Sequence, residues 1–328
     1  MPNRLRSLLS KVVALINRVS HINMKILITG SSGTIGARLC EKLLKQNYEI
    51  IGIDWKPNKW NEEIDKLTLN GDLRDESTLN KIPKDFDLVI HLAANARVYN
   101  LVKEPKLAKD NFLTTFNTLD FARKNNIRRF MLASSRETYG NSDKVVYSEN
   151  EVYIQNCESP YTASKIGGEA LVHAYQQCYG INFIIFRFSN VYGMFDDSDR
   201  VIPLFIRLTK ENKDLIVFGK EKLLDFTYID DCISGILKAI KNFEKAKNDT
   251  YNLGSGKGPS IIEVAQLIQK MMKSKNKIII KENRTGEVVK FIANISKAKE
   301  KLGYEPKTNI LEGIKKSIAW YQKNLYER

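Results

Sequence analysis

Two rhythms of apolar and polar positions run through the chain. Short, almost unbroken apolar runs fall at residues 26–28, 48–54, 67–72, 87–91, 129–135 and 182–188. Runs of this length without alternation predict strands covered on both faces, as in a parallel sheet. Between them apolar residues return at helical spacing, as at Ala37, Leu39, Leu43 and Leu44 after the first run. A short helix is predicted after Asp75, and a long one from about Pro105 to Asn125. Another begins at Ser159-Pro160-Tyr161, where serine suits the N-cap and proline the first helical position. Strand and helix in strict alternation predict an α/β fold with a doubly wound parallel sheet. Asn190-Val-Tyr-Gly193 breaks the rhythm, and short strands at 214–218, 250–253 and 277–281 then mix with helices. The predicted organisation is an extension over 1–23, a sheet domain over 24–189 and a smaller mixed α/β domain over 190–328. Segments around 225–255 are expected to pack back on the sheet.

The turn after the first strand carries Gly30, Gly33 and Gly36 at three-residue spacing. The first glycine permits a sharp turn, the second admits a pyrophosphate against the backbone, and the third lets helix and strand pack closely. Thr34 and Ile35 lie at the helix N-terminus, whose free N–H groups attract phosphate. This is the signature of a Rossmann-type dinucleotide cradle. Asp54 closes the second strand, where a carboxylate accepts hydrogen bonds from the adenosine ribose and repels a 2′-phosphate, favouring NAD over NADP. Lys56 and Lys59 follow closely and temper that preference. Asp72 and Leu73 are placed to hold adenine, and Leu92-Ala93-Ala94 forms a small-residue turn beside the cofactor. His91 reads as a packed residue and Asn111 as an amide that anchors backbone. Ser134 and Ser135 end the fifth strand, where ligands of parallel sheets gather. Tyr161 and Lys165 stand four apart on one helical face, so an ammonium can lower the phenol pKa and make it a general base.

Composition changes this picture little. A net charge of +14 comes from dispersed lysines without interleaved aromatics or a recognised nucleic-acid module, so a solvated surface is expected and nucleic acid is not. Four widely separated cysteines point to a reduced, cytoplasmic setting, and three scattered histidines offer no metal site. No run reaches transmembrane length. Residues 1–23 carry Arg4, Arg6, Lys11 and Arg18 without an acid, and Leu5, Leu8, Leu9, Val12, Val13 and Ile16 share one helical face. Such a segment suits contact with a membrane surface or targeting. Because Met24 directly precedes the first strand, a dispensable extension is the favoured reading.

Taken in order, Thr29-Gly30, Gly33, Gly36, Gly71-Asp-Leu-Arg-Asp75, His91-Leu-Ala-Ala94, Ser134-Ser135, Tyr139-Gly140, Tyr161, Lys165 and Asn190-Val-Tyr-Gly193 resemble the extended short-chain dehydrogenase/reductase family. Asp225-Phe-Thr-Tyr-Ile-Asp-Asp231, Asn252-Leu-Gly-Ser-Gly256 and the stretch from Ser296-Lys-Ala298 to Leu302-Gly-Tyr304 continue the likeness, which spans residues 24–328 and is specific to nucleotide-sugar epimerases and dehydratases. The resemblance implies a tightly held NAD and a nucleoside diphosphate sugar, UDP-linked, between the domains. Tyr161 would take the C4 hydroxyl proton, Ser135 would bind that hydroxyl, and Lys165 would bind the nicotinamide ribose and tune Tyr161. A transient 4-keto sugar would then turn over, giving a 4-epimerase acting on UDP-hexose or UDP-hexuronate.

The resemblance also implies where the subclass is set. Related 4,6-dehydratases carry Thr-Asp-Glu where this chain has Ser135-Arg136-Glu137, so elimination is disfavoured. Glu137 matches the UDP-glucuronate decarboxylases and keeps decarboxylation open as the alternative. Arg136 is either a solvated or structural loop residue, or one that meets a substrate carboxylate. Asn190, Phe218, Arg284 and Glu287 fall at sugar-nucleotide positions, with Arg284 suited to phosphate and Glu287 to the uridine ribose. Leu224 and Met194 depart from the family's Arg and Pro, leaving one phosphate clamp absent or supplied by Lys220 or Lys222. A non-catalytic NAD-binding regulator is the third reading, disfavoured because Ser135, Tyr161 and Lys165 are all present. Family members often form homodimers through helices corresponding to 105–125 and 161–179.

Overall fold

The computed structural model describes residues 24–326; the expectation for residues 1–23 lies outside them. In chain order the sheet and its main helices are β1 (Lys25–Thr29), α1 (Thr34–Leu44), β2 (Glu49–Asp54), β3 (Thr68–Asn70) and β4 (Leu88–His91). They continue with α2 (Lys106–Lys124), β5 (Arg129–Ser135), α3 (Pro160–Tyr179), β6 (Asn182–Phe188), α4 (Ile229–Lys241) and β7 (Asp249–Leu253). All seven strands are parallel, in the order β7-β6-β5-β4-β1-β2-β3. The order reverses between β1 and β4, where Ile26 pairs with Leu88 and Thr29 with His91. A crevice opens at such a switch point, outside the carboxyl ends of the strands.

The strands lack alternation because both faces are covered. Ile26 and Ile28 join Ile90, Met131 and Phe186 on one side, packed against Leu39 and Leu43 of α1 and Ile233 and Ile236 of α4. Leu27 joins Val89, Phe130 and Ile185 on the other, against Leu119 of α2 and Val172 of α3. An ion pair from Arg38 to Asp230, 2.7 Å long, ties α1 to α4. The third strand ends earlier than its apolar run suggests: Asp72 accepts from the Arg74 amide at 2.9 Å and folds the chain into a turn.

Outside the main sheet the structure is assembled from small parallel pairings. Asn190–Tyr192 pairs with Phe226–Tyr228, and Leu215–Phe218 with Ile278–Lys281. Val146–Tyr147, Lys290–Ala293 and Leu223–Leu224 form a third small sheet. Asp225 knots these pieces together. Fully buried, its carboxylate accepts from the amides of Ser255 (2.7 Å), Gly256 (2.9 Å) and Ala293 (3.2 Å). Among the described residues no helix is long and apolar enough to cross a membrane.

Candidate active site

The glycine turn is tight enough to exclude side chains. Gly30 has φ +73, and a Cβ there would lie 2.8 Å from the Ala93 nitrogen across the switch point. A Cβ on Gly36 would lie 2.0 Å from the Gly30 oxygen. Asp54 stands over this turn, accepting from the Ser32 amide through one oxygen and from the Lys56 amide through the other, both at 3.0 Å. Burial raises its carboxyl pKa, and the amides oppose that shift. The Ser32 hydroxyl is buried without a partner among the described residues. Gly30, Ser32, Asp54, Asp72, Leu92 and Asn111 line one cleft of about 370 Å³. Backbone held bare by glycine, an unpartnered hydroxyl and a carboxylate at the far edge fit a dinucleotide.

Several predicted cofactor residues act through the protein. The Asn111 amide pins the loop after Ala94, accepting from Asn95 N at 2.7 Å and donating to Asn95 O at 3.1 Å. Thr34 donates to the Phe195 carbonyl at 3.0 Å, Ile35 packs on the core, and Leu73 is buried with its carbonyl held by Asn117. Asp72 binds Arg74, which also reaches Asp110 at 2.7 Å. Arg74 holds the Asp72 carboxyl below its usual range. Replacing Asp54 by Ser is expected to bring the NADP and NAD dissociation constants at least about tenfold closer, the scale of one charge-assisted hydrogen bond. Fluorescence titration with each nucleotide checks this, and an unchanged ratio would remove Asp54 from cofactor selection.

Strand β5 delivers Ser135 to the mouth of the crevice and α3 brings Tyr161 and Lys165 to it. Ser135 caps the following turn, accepting from Glu137 N at 3.2 Å, and its hydroxyl acts on the Tyr161 phenol to lower its pKa. The phenol departs from the expectation of a lowered pKa. Burial raises it, Ser135 opposes the shift, and the Glu137 charge adds to the rise. Lys165 donates to the Ala133 carbonyl at 2.8 Å, and burial brings its pKa down to about 8. Its Nζ lies 5.8 Å from the Tyr161 ring centre. His91 is packed as expected, between the hydroxyls of Thr29 (2.8 Å) and Thr115 (3.2 Å), with its pKa pushed down to about 3 by burial.

Ser134 is a correction. Alternation along β5 turns it away from Ser135, and its hydroxyl donates to Glu169 at 2.5 Å. Glu169 in turn takes a two-pronged ion pair from Arg187, at 2.9 and 2.7 Å. The side chain of Ser134 therefore belongs to a buried structural network. Of the alternatives open for Arg136, the structure excludes the solvated one: it is buried and pairs with Glu137 at 2.6 Å. Burial raises the Glu137 pKa and the Arg136 charge opposes it.

The sugar-nucleotide half is more tightly engaged than the sequence suggests. Asn190 donates its amide to the Asp225 carbonyl at 2.9 Å. Glu287 is ion-paired with the buried Lys222, so that lysine is no free phosphate clamp. Arg284 lies over the Phe218 ring at 3.9 Å and the Tyr99 ring at 4.7 Å. Near it stand two residues the sequence reading missed, Arg97 and Arg200. Arg97 donates to the Asp199 carbonyl at 2.9 Å, and its Nη1 is buried with no partner among the described residues. Burial, then repulsion from Arg200, lowers its pKa, and Arg284 adds to the repulsion. The charges of three guanidiniums from separate segments thus act together here, with Arg200 also paired to Asp196 at 3.5 Å. The available signal was the place of Arg97, just past the end of β4.

Glycine cradle, switch-point crevice and the group Ser135, Tyr161 and Lys165 define an extended short-chain dehydrogenase/reductase. The model of the NAD dependent epimerase/dehydratase family matches residues 26–254, and the chain belongs to that family. It is similar to a putative UDP-glucose 4-epimerase of Methanocaldococcus jannaschii, 36% identical over 91% of this chain and 99% of the relative. A UDP-glucuronate 4-epimerase of Thermodesulfobacterium geofontis is 30% identical over 91% of this chain and 96% of its own length. Among solved structures, a UDP-glucose 4-epimerase of Thermotoga maritima with UDP-glucose superposes with a TM-score of 0.84 at 30% identity, covering 92% of this chain and all of that one. A UDP-glucuronic acid 4-epimerase of Bacillus cereus, with UDP-glucuronic acid and NAD, gives 0.85 at 28%, covering 92% and 99%.

Proposed function

We propose that this protein is an NAD-dependent nucleotide-sugar 4-epimerase acting on a UDP-linked sugar. The observation that carries the reading is the meeting of Ser135, Tyr161 and Lys165 at the end of β5, beside the glycine cradle. The substrate is placed between the sheet's carboxyl edge and the segments after residue 190. When bound, NAD supplies the hydride acceptor and a positively charged ring. Ser135 holds the C4 hydroxyl of the sugar, and Tyr161 removes its proton and later returns it. Lys165, a buried ammonium fixed by the Ala133 carbonyl, and the positive ring of bound NAD would together oppose the burial that raises the phenol pKa. Arg97, Arg200 and Arg284 face the diphosphate with a concentration of positive charge. Elimination would need an acid at position 136, and Arg136 cannot supply a proton at working pH. The buried Glu137 supports a second reading, decarboxylation of a UDP-uronate.

A homodimer is part of the proposal, supported by Phe112 and Phe116 exposed on α2, which packs on α3. A cytoplasmic setting is likewise proposed, supported by four free cysteines. The deciding experiment incubates the protein with NAD and, separately, UDP-glucose, UDP-N-acetylglucosamine or UDP-glucuronate. Mass spectrometry and NMR should find a product of unchanged mass with inverted C4. Release of carbon dioxide or water would replace the epimerase reading.

A further inference from the structure

Beside the reacting group lies a buried cation with an unused donor. Arg136 is only 8% exposed, and its Nη1 has no hydrogen-bond partner among the described residues. Its other terminal nitrogen binds Glu137 Oε1 at 2.6 Å, and Glu137 Oε2 takes the Val288 amide at 3.3 Å. The buried Phe291 ring lies 5.9 Å from the guanidinium. The charges of Arg136, Glu137 and Arg200 all act on the Tyr161 phenol. A guanidinium N–H left dry and unpaired is costly, and an acceptor brought by a ligand would relieve that cost.

The chemistry of a pyranose says which acceptor. With the C4 hydroxyl on Ser135 and Tyr161, the sugar carries C6 on C5, one bond from the reacting carbon. Arg136 follows Ser135 in the chain and its charge acts on the same Tyr161 phenol, which points the guanidinium toward the C6 side of a sugar so held. A hydroxymethyl group offers one neutral oxygen that also needs an acceptor, whereas a carboxylate offers two acceptor oxygens and a charge. Charge-assisted bonds to guanidinium are about twice as strong as neutral ones. Glu137 offsets the Arg136 charge, and the unpaired Nη1 leaves one donor for an incoming carboxylate.

We propose that Arg136 receives a C6 carboxylate and so makes UDP-hexuronates the substrate class of this site, an inference that rests on the 4-epimerase reading. The test measures kcat/KM of the full chain with NAD on UDP-glucuronate and on UDP-glucose, in the wild type and in an Arg136→Met/Glu137→Gln double variant. Removing both charges strands neither, and the ratio of the two substrates is independent of the fraction folded. The expected preference for UDP-glucuronate is about 100-fold, falling to about tenfold or less in the double variant, the scale of one lost bond to a charged group. Equal or better turnover of UDP-glucose by the wild type, or a preference unchanged in the variant, would overturn the assignment. Decarboxylation of UDP-glucuronate with the same loss of preference would sustain Arg136 as carboxylate receptor and reject the epimerase reading. If neither sugar turns over, calorimetric binding decides. Tighter UDP-glucuronate binding that the double variant loses supports the assignment, and equal binding of the two sugars rejects it.

Discussion

Tyr161→Phe is expected to lower kcat on the UDP-sugar substrate by about 10³-fold, within the range contributed by a positioned acid–base group. The phenol is buried at the end of the crevice, next to Ser135 and one helical turn from Lys165. Removing its oxygen leaves ring packing intact and takes away the proton acceptor for the C4 hydroxyl. Water does not easily replace it, because the surrounding side chains leave the phenol almost no exposure. Cofactor content should stay at the wild-type level, since the cradle from Gly30 to Gly36 and Asp54 is untouched. Steady-state rates with NAD quantified in the same preparation check both statements. Undiminished turnover would end the proposed role of Tyr161, whereas loss of NAD would recast it as a residue that binds cofactor.

The second large effect is on stability. Arg187→Met is expected to destabilise the fold by about 3–5 kcal/mol, the cost of breaking a buried ion pair from one side. Arg187 fastens β6 to Glu169 of α3 through two bonds, and to the Glu149 carbonyl (2.6 Å) and Tyr139 hydroxyl (3.2 Å) through a third nitrogen. Tyr139 continues to Asn252 of β7 at 2.6 Å, and Asn252 to the carbonyls of Tyr147 and Asn294. One guanidinium thus ties the sheet to the small three-stranded sheet. Its removal leaves Glu169 buried with Ser134 as its remaining named partner. Urea denaturation measures the loss, and adding Glu169→Gln should recover a large part of it. A single variant as stable as the wild type would show that the pair contributes nothing net.

The frame of this molecule was legible because each signal was local. A buried run such as residues 26–28, a glycine triplet and a Tyr–Lys pair one turn apart each fit within a few residues. Asp54 was legible because it ends a strand next to that triplet. What escaped notice was built from distance. Arg97, Arg200 and Arg284 come from three separate segments, and nothing in a sequence says that their charges act together. Arg187 sits within an apolar strand, and its partner Glu169 lies on a helix that otherwise reads as mixed. Ser134 and Ser135 were grouped by their shared place at the end of a strand, although strand alternation separates them. Arg136 stayed open between a solvated or structural loop residue and a carboxylate contact, because its neighbours Glu137 and Phe291 meet it only in the fold, the latter contributed from far along the chain.

The last strand of the sheet has a consequence for how the chain is made. β7 pairs with β6 after an excursion of some sixty residues, and Asn248 donates its backbone amide to the Phe183 carbonyl as the strand enters. Until residues 249–253 leave the ribosome, β6 is an open edge of apolar residues, a template for pairing with another nascent chain. Contacts so remote in sequence also form slowly. The growing polypeptide is therefore expected to hold this edge open between the synthesis of the helix that carries Tyr161 and Lys165 and the arrival of its final strand, so that yield would depend on how quickly translation crosses that interval.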